Sequence, residues 1–466
     1  MLLPDVATKS CQDIALVILA PSKEECTADG WLVEAVRMMA SKLATDGVGY
    51  ILAPRRWRLR IARLVRDSGL VIDLTVGHLP NWESSDYLVP FARSPIEYAL
   101  SVIAPAPARI RALIGKWFRL PRAAEMLAYL RSYAGLVVRR PGARPVFEWL
   151  FGQDEEEGRR GSALIRRSWR GKNGTAVIYR FLEGDKQPSA VAKVNLAIDS
   201  SADPYPEVAV LTRIGSRIQG TGIRVPQLLS QPADAVRRAP LQTFVAGRPA
   251  ADVLRLQPER LAPTVKQVVR WLERWYCRTV VHRPFSAAEW NGHLLEPAAR
   301  LAPLLAQGDE YRRWLASRCM AAAGAMMPLV DAHNDLTMAN ILLDEEGGMG
   351  VIDWETGKAE AWPLVDFFYA ITDAVMMVCG WPDRLDAFRA CFAAEGLYAP
   401  AVARLGTRLA SAVAIPQDIG ELCFHACWLH HAINEHHASQ ECEARPFLRI
   451  VQWLAARHPK SGERLV

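Results

Sequence analysis

A chain of 466 residues is too long for one ordinary hydrophobic core, so two or three domains are expected. Half of the residues are hydrophobic and 23% are charged, which indicates a globular protein and excludes an intrinsically disordered one. The formal net charge of +6 is mild for this length. A nucleic-acid partner would need a clustered basic face, so we expect none.

The nine cysteines are scattered and odd in number, which indicates the reduced thiols of a cytosol and not a disulfide framework. No apolar run approaches the roughly 18 residues that a membrane-spanning helix needs. The N-terminus lacks a basic segment followed by a long apolar one, so a signal peptide is not expected. We therefore expect a cytoplasmic protein without a transmembrane segment.

The first 140 residues alternate between the two periodicities of regular structure. Strands are predicted at residues 15–20, 47–52 and 70–76, and helices at residues 29–43 and 57–67. Asp29 is the predicted N-cap of the first helix, and Gly69 is predicted to stop the second. This alternation predicts an α/β domain over residues 1–140.

The composition shifts over residues 141–160, where proline, glycine and dense charge predict an exposed linker. Beyond this linker, three successive strands are predicted at residues 162–170, 175–182 and 189–197, before a helix near residues 205–216 and short strands at 226–230 and 242–245. From residue 250 onward the pattern is mostly helical. The second part of the chain is thus predicted to be α+β, with a small β-rich lobe at 161–246 and a large α-rich lobe at 247–466.

The most informative segment spans residues 331–355. His333 and Asp335 are followed after four residues by Asn340, and Asp353 comes thirteen positions later, after a predicted hairpin. Phosphoryl transfer needs a carboxylate that orients the attacking hydroxyl and oxygen ligands that hold magnesium against the phosphates. We therefore predict Asp335 as the catalytic carboxylate, with Asn340 and Asp353 as the metal ligands.

This segment resembles the catalytic loop and metal-binding strand of the aminoglycoside phosphotransferase and choline kinase group, which shares the protein-kinase-like fold. The resemblance implies a two-lobed fold, ATP and Mg²⁺ as cofactors, and a small-molecule hydroxyl as acceptor. The family's usual His-Gly-Asp is His-Asn-Asp here, and Asn334 is the residue type that best tolerates a special backbone angle. The resemblance implies that His333 braces the loop rather than acting as the base. It implies a bracing role for Asp366 as well.

The third strand of the small lobe contains Lys193 as its only lysine, at the place where the family has its ATP lysine. Glu207 follows fourteen residues later, at the start of a predicted helix, and is its predicted partner. A solvent-exposed strand lysine and an acid favoured by a helix N-terminus are the simpler alternatives.

Two further segments are candidates for nucleotide binding. The turn with Gly171 and Gly174 lies between the first two strands of the small lobe, where backbone N–H groups would cover the phosphates. A plain hairpin turn explains the same residues equally well. The segment around Thr243 and Val245 resembles the family's lobe hinge, whose backbone would meet the adenine.

Residues 10–100 resemble the second half of a class I methyltransferase-like Rossmann fold. The glycine-rich first strand and turn that bind the methyl donor are absent, so we expect a truncated, noncatalytic domain that docks a partner. Residues 105–134 mix basic and aromatic side chains. They fit an amphipathic helix with a solvated basic face better than a segment that rests on an anionic membrane.

Near the C-terminus, cysteines and histidines crowd one predicted helix, between residues 423 and 437. Zinc binds such side chains, but tight structural sites also draw ligands from turns. Buried thiols and partly exposed imidazoles on an ordinary helix are the favoured interpretation.

Together these patterns predict an ATP- and Mg²⁺-dependent phosphotransferase with an alcohol group as acceptor. The alternative is a catalytically inactive, nucleotide-binding scaffold that recruits a partner through its N-terminal domain. The acceptor itself stays open among antibiotics, sugars, choline-like alcohols and biosynthetic intermediates.

Overall fold

A computed structural model describes thirteen segments of the chain. These are residues 16–19, 29–45, 47–54, 57–79, 87–90, 94–96, 98–99, 133–151, 161–170, 173–195, 205–230, 240–438 and 445–461. The chain divides into two compact units, the first with residues 1–205 and 228–244, the second with residues 206–227 and 245–466. Among the described residues, no helix combines the length and the apolar character needed to cross a membrane. The turn residue Gly171 and residues 105–132 lie outside the described residues.

The first unit is built on one ten-stranded sheet in the order β1-β2-β5-β3-β4-β6-β7-β8-β11-β10. Its strands are β1 (Leu16–Leu19), β2 (Val48–Pro54), β3 (Val71–Leu79), β4 (Tyr87–Pro90), β5 (Tyr133–Arg139), β6 (Gly161–Arg170), β7 (Asn173–Leu182), β8 (Ala190–Asn195), β10 (Leu228–Ser230) and β11 (Leu241–Thr243). Its helices are α1 (Asp29–Lys42), α2 (Arg58–Asp67) and α3 (Val146–Phe151).

The three strands and two helices predicted before residue 80 are all present. Strands β1 and β2 are parallel, whereas β5 lies between β2 and β3 and is antiparallel to both. Apolar residues at helical spacing on α1 and α2 pack on β2 and β5 around Val36, Ile61 and Val138. Gly69 has a φ of +75° and follows the end of α2, as predicted for a helix stop. The Rossmann-like arrangement of this region stays a prediction.

The sheet continues from the N-terminal strands into the strands of the predicted small lobe. Strand β4 pairs with β3 on one side and with β6 on the other, with Leu88 opposite Ile165. Part of the predicted linker forms α3, whose Phe151 packs with Ala163 and Ile178 in a buried cluster. The division into domains at residues 140 and 160 stays a prediction, within a sheet that spans both sides of it.

The second unit is mostly helical. Its helices are α4 (Pro206–Ile214), α5 (Ala250–Leu256), α6 (Leu261–Thr279), α7 (Ala287–Trp290), α8 (Glu296–Leu301), α9 (Gly308–Ala321), α10 (Val365–Cys379), α11 (Arg384–Phe392), α12 (Ala399–Ala412), α13 (Gln417–Ala438) and α14 (Pro446–Ser461). Its strands are β9 (Ile223–Arg224), β12 (Arg248–Pro249), β13 (Val281–Pro284), β14 (Met326–Ala332), β15 (Ile341–Leu343), β16 (Met349–Val351) and β17 (Lys358–Ala361). They form two small sheets, in the orders β12-β15-β16-β9 and β13-β14-β17.

Aromatic side chains fill the core of the second unit. Phe368 of α10 meets Phe424 of α13 edge-on, with ring centroids 5.0 Å apart, an arrangement that aromatic pairs prefer. Trp271, Trp275 and Trp290 are all buried. These three tryptophans therefore belong to the core that supports the site.

The predicted hairpin after Asn340 is present as β15 and β16, with Ile341 opposite Val351. Its turn closes where Asp344 N donates to Gly348 O at 3.0 Å and Gly347 adopts a φ of +84°. Because side chains with a Cβ rarely adopt this angle, glycine suits the turn. The hairpin returns the chain to the level of Asn340.

Candidate active site

The predicted catalytic loop follows β14 and is clamped by a carboxylate from α10. Asp366 accepts the backbone N–H of His333 at Oδ2 and that of Asn334 at Oδ1, each at 2.8 Å. Asp366 is fully buried, and burial raises its pKa to about 7, while the two N–H donors partly offset that rise. The bracing role predicted for Asp366 thus has a direct geometric basis in two adjacent hydrogen bonds.

Asn334 adopts the left-handed backbone conformation, with a φ of 61°. Its side-chain Nδ2 donates to Thr356 O at 3.0 Å, and Thr356 Oγ1 donates to His333 O at 2.8 Å. Asparagine tolerates this backbone region better than most residues, which explains how it replaces the glycine of the family's usual pattern. The substitution leaves the turn intact.

His333 uses both ring nitrogens inside the protein. Nε2 lies 2.9 Å from Ile352 O, and Nδ1 lies 3.3 Å from the backbone nitrogen of Asp335. A carbonyl requires a donor and an N–H requires an acceptor, so these partners assign the neutral tautomer with its proton on Nε2. The ring is fully buried and packs 4.7 Å from the ring of Trp354. These contacts suit a residue that braces the loop, and they leave no ring nitrogen to act as the base.

Asn340 joins the loop to the hairpin. Its Nδ2 donates to Asp335 O at 2.9 Å and lies 3.4 Å from Asp335 Oδ2, while its backbone O accepts from Ile352 N at 3.0 Å. With Nδ2 engaged by Asp335, Oδ1 is the side-chain atom of Asn340 that suits a metal. Two of the three predicted site residues are therefore in direct contact.

Asp353 follows Ile352, the residue whose backbone bonds both His333 and Asn340. It has left-handed dihedral angles, φ 69° and ψ 56°. A residue with a Cβ adopts this conformation at an energetic cost, and such residues cluster at functional sites. The hydrogen bonds of Ile352 thus place the start of Asp353 beside the catalytic loop.

A contact that the sequence did not predict holds Trp354, the residue after Asp353. The backbone N–H of Trp354 donates to Oε1 of Glu207, on α4, at 2.9 Å, and Glu207 is buried. The same helix leads to Arg217, whose Nη1 lies 3.1 Å from Oδ2 of buried Asp331, at the end of the strand before the loop. Helix α4 and the turn that follows it therefore contact the chain on both sides of the catalytic loop.

The remaining predicted nucleotide residues lie on separate elements. Lys193 lies on β8 with a half-buried side chain, and Thr243 ends β11, both in the first unit. Val245 is buried in the second unit. Gly174 lies in β7 opposite Trp169, and the β6–β7 register continues to Arg170 opposite Asn173. A simple hairpin has this register. The register does not test whether the turn covers phosphates, so that role stays a prediction.

The oxygen donors of the loop and the hairpin suit magnesium. Mg²⁺ binds through one or two protein carboxylates and completes its shell with phosphate and water oxygens, so Asp353 and the amide oxygen of Asn340 are an adequate protein contribution. In the described part of the chain, no group of three or more His, Cys, Asp or Glu side chains could hold a metal ion. Cys423 and Cys427 are buried, and burial raises the pKa of both thiols.

A cavity of about 710 Å³ lies in the second unit beside the catalytic loop. Asn334 and Val365 line it on the side of the loop, and Lys358, His293 and His430 line it elsewhere. Its size is that of an ordinary small-molecule site. No motif in the sequence predicted this cavity, since its lining comes from separate segments between residues 283 and 433.

The central part of the chain is similar to a known protein family. Residues 177–405, slightly less than half of the chain, match the profile of the phosphotransferase enzyme family, APH. None of the curated proteins matches the sequence. The matched family is the one that the sequence predicted.

Several solved structures align with the chain at low identity. A Streptomyces rimosus aminoglycoside phosphotransferase in complex with ADP and streptomycin has 18% identity and a TM-score of 0.35, over 54% of this chain and 88% of that one. A macrolide 2'-phosphotransferase type I has 15% identity and a TM-score of 0.36, over 64% and 92%. A Plasmodium vivax ethanolamine kinase has 10% identity and a TM-score of 0.36, over 66% and 85%.

Proposed function

Because residues 177–405 match the profile of the phosphotransferase enzyme family, we propose that the chain transfers the γ-phosphoryl group of ATP to a hydroxyl of a small molecule. The observation that carries this proposal is the hydrogen-bonded unit of loop and hairpin. Asn340 contacts Asp335 through its side chain, and Ile352, the residue before Asp353, contacts Asn340 and His333 through its backbone. Side chains fixed in this way are preorganised for the electrostatic work that phosphoryl transfer requires.

In the proposed reaction, the acceptor oxygen forms a bond to the γ-phosphorus while the bond from that phosphorus to the bridging oxygen breaks, which releases ADP. Asp335 orients the acceptor hydroxyl and takes its proton. Asn340 and Asp353 would hold Mg²⁺, which neutralises charge on the phosphates when it is bound. His333 keeps the loop in position, since both of its ring nitrogens form hydrogen bonds with the backbone.

The nucleotide contacts complete the proposal. Lys193 would contact the α- and β-phosphates, and Thr243 and Val245 would present backbone groups to the adenine. Glu207 would pair with Lys193 while its Oε1 accepts from Trp354 N. Gly171 and Gly174 would cover the phosphates from the turn between β6 and β7.

Transfer of labelled phosphate from ATP tests the proposal with a panel of aminoglycosides, macrolides, sugars and amino alcohols. We expect Asp335→Asn to reduce kcat at least about 100-fold, because general base catalysis alone contributes about that much. Asp353→Asn should cause a loss of the same order, because it removes the charged protein ligand of Mg²⁺. Asp309→Asn is the matched control, since Asp309 is an exposed carboxylate on α9. Melting curves establish that the variants are folded.

The scaffold alternative makes the opposite prediction. ATP with Mg²⁺ would raise the melting temperature of the protein, but no acceptor in the panel would be labelled. Equal transfer by wild type and Asp353→Asn would also contradict the kinase proposal.

A further inference from the structure

The cavity beside the catalytic loop is the place for the acceptor, and its lining restricts the chemistry of that molecule. Asn334, in its wall, immediately precedes Asp335, and Val365, also in its wall, immediately precedes the loop-clamping Asp366. All of its lining residues belong to the second unit. A hydroxyl compound bound there therefore lies beside the residue that precedes Asp335.

Each acidic side chain that lines this cavity is already held by an arginine. Arg283 binds Glu289 at 2.6 Å and Glu360 at 2.8 Å, and Arg300 pairs with Glu296. The three glutamates are the only acidic residues among the described residues that line the cavity. A polycationic acceptor would therefore have to displace an arginine from each carboxylate before it could form an ion pair of its own.

One lining cation has no such counterpart. Lys358, on β17, forms no ion pair with any of the described residues, whereas Arg283 and Arg300 both do. The three lining cations and three lining acids balance in number, but Arg283 holds two of the acids and Arg300 the third, so Lys358 is the lining cation left without an ion pair among the described residues. The exposed ammonium group of Lys358 is thus a site for an anion within reach of the cavity.

Two imidazoles of the cavity wall lie within electrostatic range of this lysine. Desolvation by the cavity wall lowers the pKa of His293, and the charge of Lys358 lowers it further. His430 presents part of its ring to the cavity, yet desolvation, followed by Lys358 and His293, lowers its pKa to about 4. At neutral pH both rings are uncharged and offer one N–H donor each, and a bound anion would favour their protonated forms.

Aromatic side chains form another part of the cavity wall, next to His293. Trp362 lines it, is buried, and packs edge-on against Trp290 and Phe285, each with a centroid distance of 5.4 Å. The ring of His293 lies 5.8 Å from that of Trp362. Such a wall suits the carbon face of a ring or chain, so that the polar contacts of the ligand are left to Lys358 and the imidazoles.

We propose that the acceptor carries an anionic group, a phosphate or a carboxylate, which binds at Lys358 beside His293 and His430 while its hydroxyl faces Asp335. This inference rests on the proposed kinase function. It restricts the acceptor to anionic hydroxyl compounds and rules out polycationic amines as the preferred substrates.

Matched acceptors test the proposal with the full chain and labelled ATP. The pairs differ only in the anionic group: glucose with glucose 6-phosphate, and glycerol with glycerol 3-phosphate or glycerate. Kanamycin serves as the polycation. We expect the anionic member of a pair to have a kcat/KM at least about tenfold higher. Only that member can form a charge-assisted hydrogen bond with the ammonium group of Lys358.

Substitution of the lysine separates a charge contact from a structural effect. Lys358→Ala is expected to raise KM for the anionic acceptor about tenfold and to leave kinetics with the neutral member unchanged. Lys266→Ala, at an exposed lysine of α6 outside the cavity, should match wild type. Preference for the neutral compound or kanamycin, or equal losses with both members in Lys358→Ala, would overturn the proposal.

If no acceptor of the panel is labelled, ligand binding still tests the proposed anion site. The protein is saturated with magnesium and a nonhydrolysable ATP analogue and then titrated with sulfate or with kanamycin while its melting temperature is recorded. Sulfate should stabilise wild type and Lys266→Ala more than Lys358→Ala. An identical sulfate effect in all three proteins, or stabilisation by kanamycin instead, would contradict an anion site.

Failure of the kinase proposal has a different signature. Slow hydrolysis of ATP by water needs Asp335 and Asp353 but no acceptor. If hydrolysis and analogue binding are the same in wild type and Asp353→Asn, the kinase function itself is wrong, whatever the sulfate titration gives.

Discussion

At the scale of single residues, the catalytic loop was predictable because its chemistry is local in sequence. His333, Asp335 and Asn340 lie within eight positions, and the contacts among them are those expected of a braced loop. The partner of Trp354 N was not predictable in the same way, because Glu207 lies 147 positions away. Lys358 belongs to no motif, and its proposed role comes only from its place in the cavity and from the lack of an ion pair with any of the described residues.

Asp366 carries a prediction about pH. Its pKa is about 7 in the folded protein, compared with an ordinary value of 3.8, so the folded state holds this proton more tightly than the unfolded state does. The stabilisation from that proton is complete below about pH 4 and is lost as the pH rises to about 7. Asp366→Asn should remove this dependence and, because one N–H loses its acceptor, destabilise the protein by about 1–3 kcal/mol.

Urea unfolding between pH 5 and 8 measures both effects of the Asp366 substitution. The difference in unfolding free energy between wild type and Asp366→Asn is expected to shrink as the pH rises. Asp309→Asn, at an exposed carboxylate, should follow the wild-type curve. Parallel curves for wild type and Asp366→Asn would show that Asp366 does not titrate in this range.

At the scale of elements, helix type and order were largely predictable, whereas helix function was not. The predicted helix near residues 205–216 is present as α4, and its apolar spacing identified it. Its contacts with Trp354 and Asp331 depend on the tertiary fold. The pairing of β5 between β2 and β3 could not be predicted from the sequence either, because more than 40 residues separate β5 from β4.

Helix α4 is predicted to stabilise the strand end that carries Asp353 through one hydrogen bond. Glu207→Ala leaves the N–H of Trp354 without this acceptor in a buried place, and we expect a loss of about 1–3 kcal/mol in unfolding free energy. Glu207→Gln keeps an acceptor oxygen and should retain most of that stability. Denaturant titration of both variants measures the difference, and equal destabilisation by the two substitutions would refute this role.

At the scale of the whole chain, the continuous sheet of the first unit governs how the N-terminal region can be removed. Strand β4 covers the edge of β6, with Tyr87 opposite Arg166 and Leu88 opposite Ile165. A chain that begins at residue 161 would expose that edge to other molecules, and exposed edges promote aggregation. We expect this truncated chain to be less soluble and to melt at a lower temperature than the full chain.

Size-exclusion chromatography and thermal melts of the full and truncated chains measure this effect. A monodisperse truncated protein with an unchanged melting temperature would mean that β4 contributes nothing to the stability of β6. The predicted domain boundary at residues 140–160 would then also describe an independent folding boundary.

The strand order has a consequence for the order in which the chain folds during synthesis. Strands β6, β7 and β8 pair with their neighbours in sequence, so they can associate soon after they leave the ribosome. Strands β2 and β3 lie on either side of β5, so their ladder cannot close until translation has passed residue 139. Until then the nascent chain presents two unpaired strand edges, and a chaperone that binds early in translation would meet these edges first.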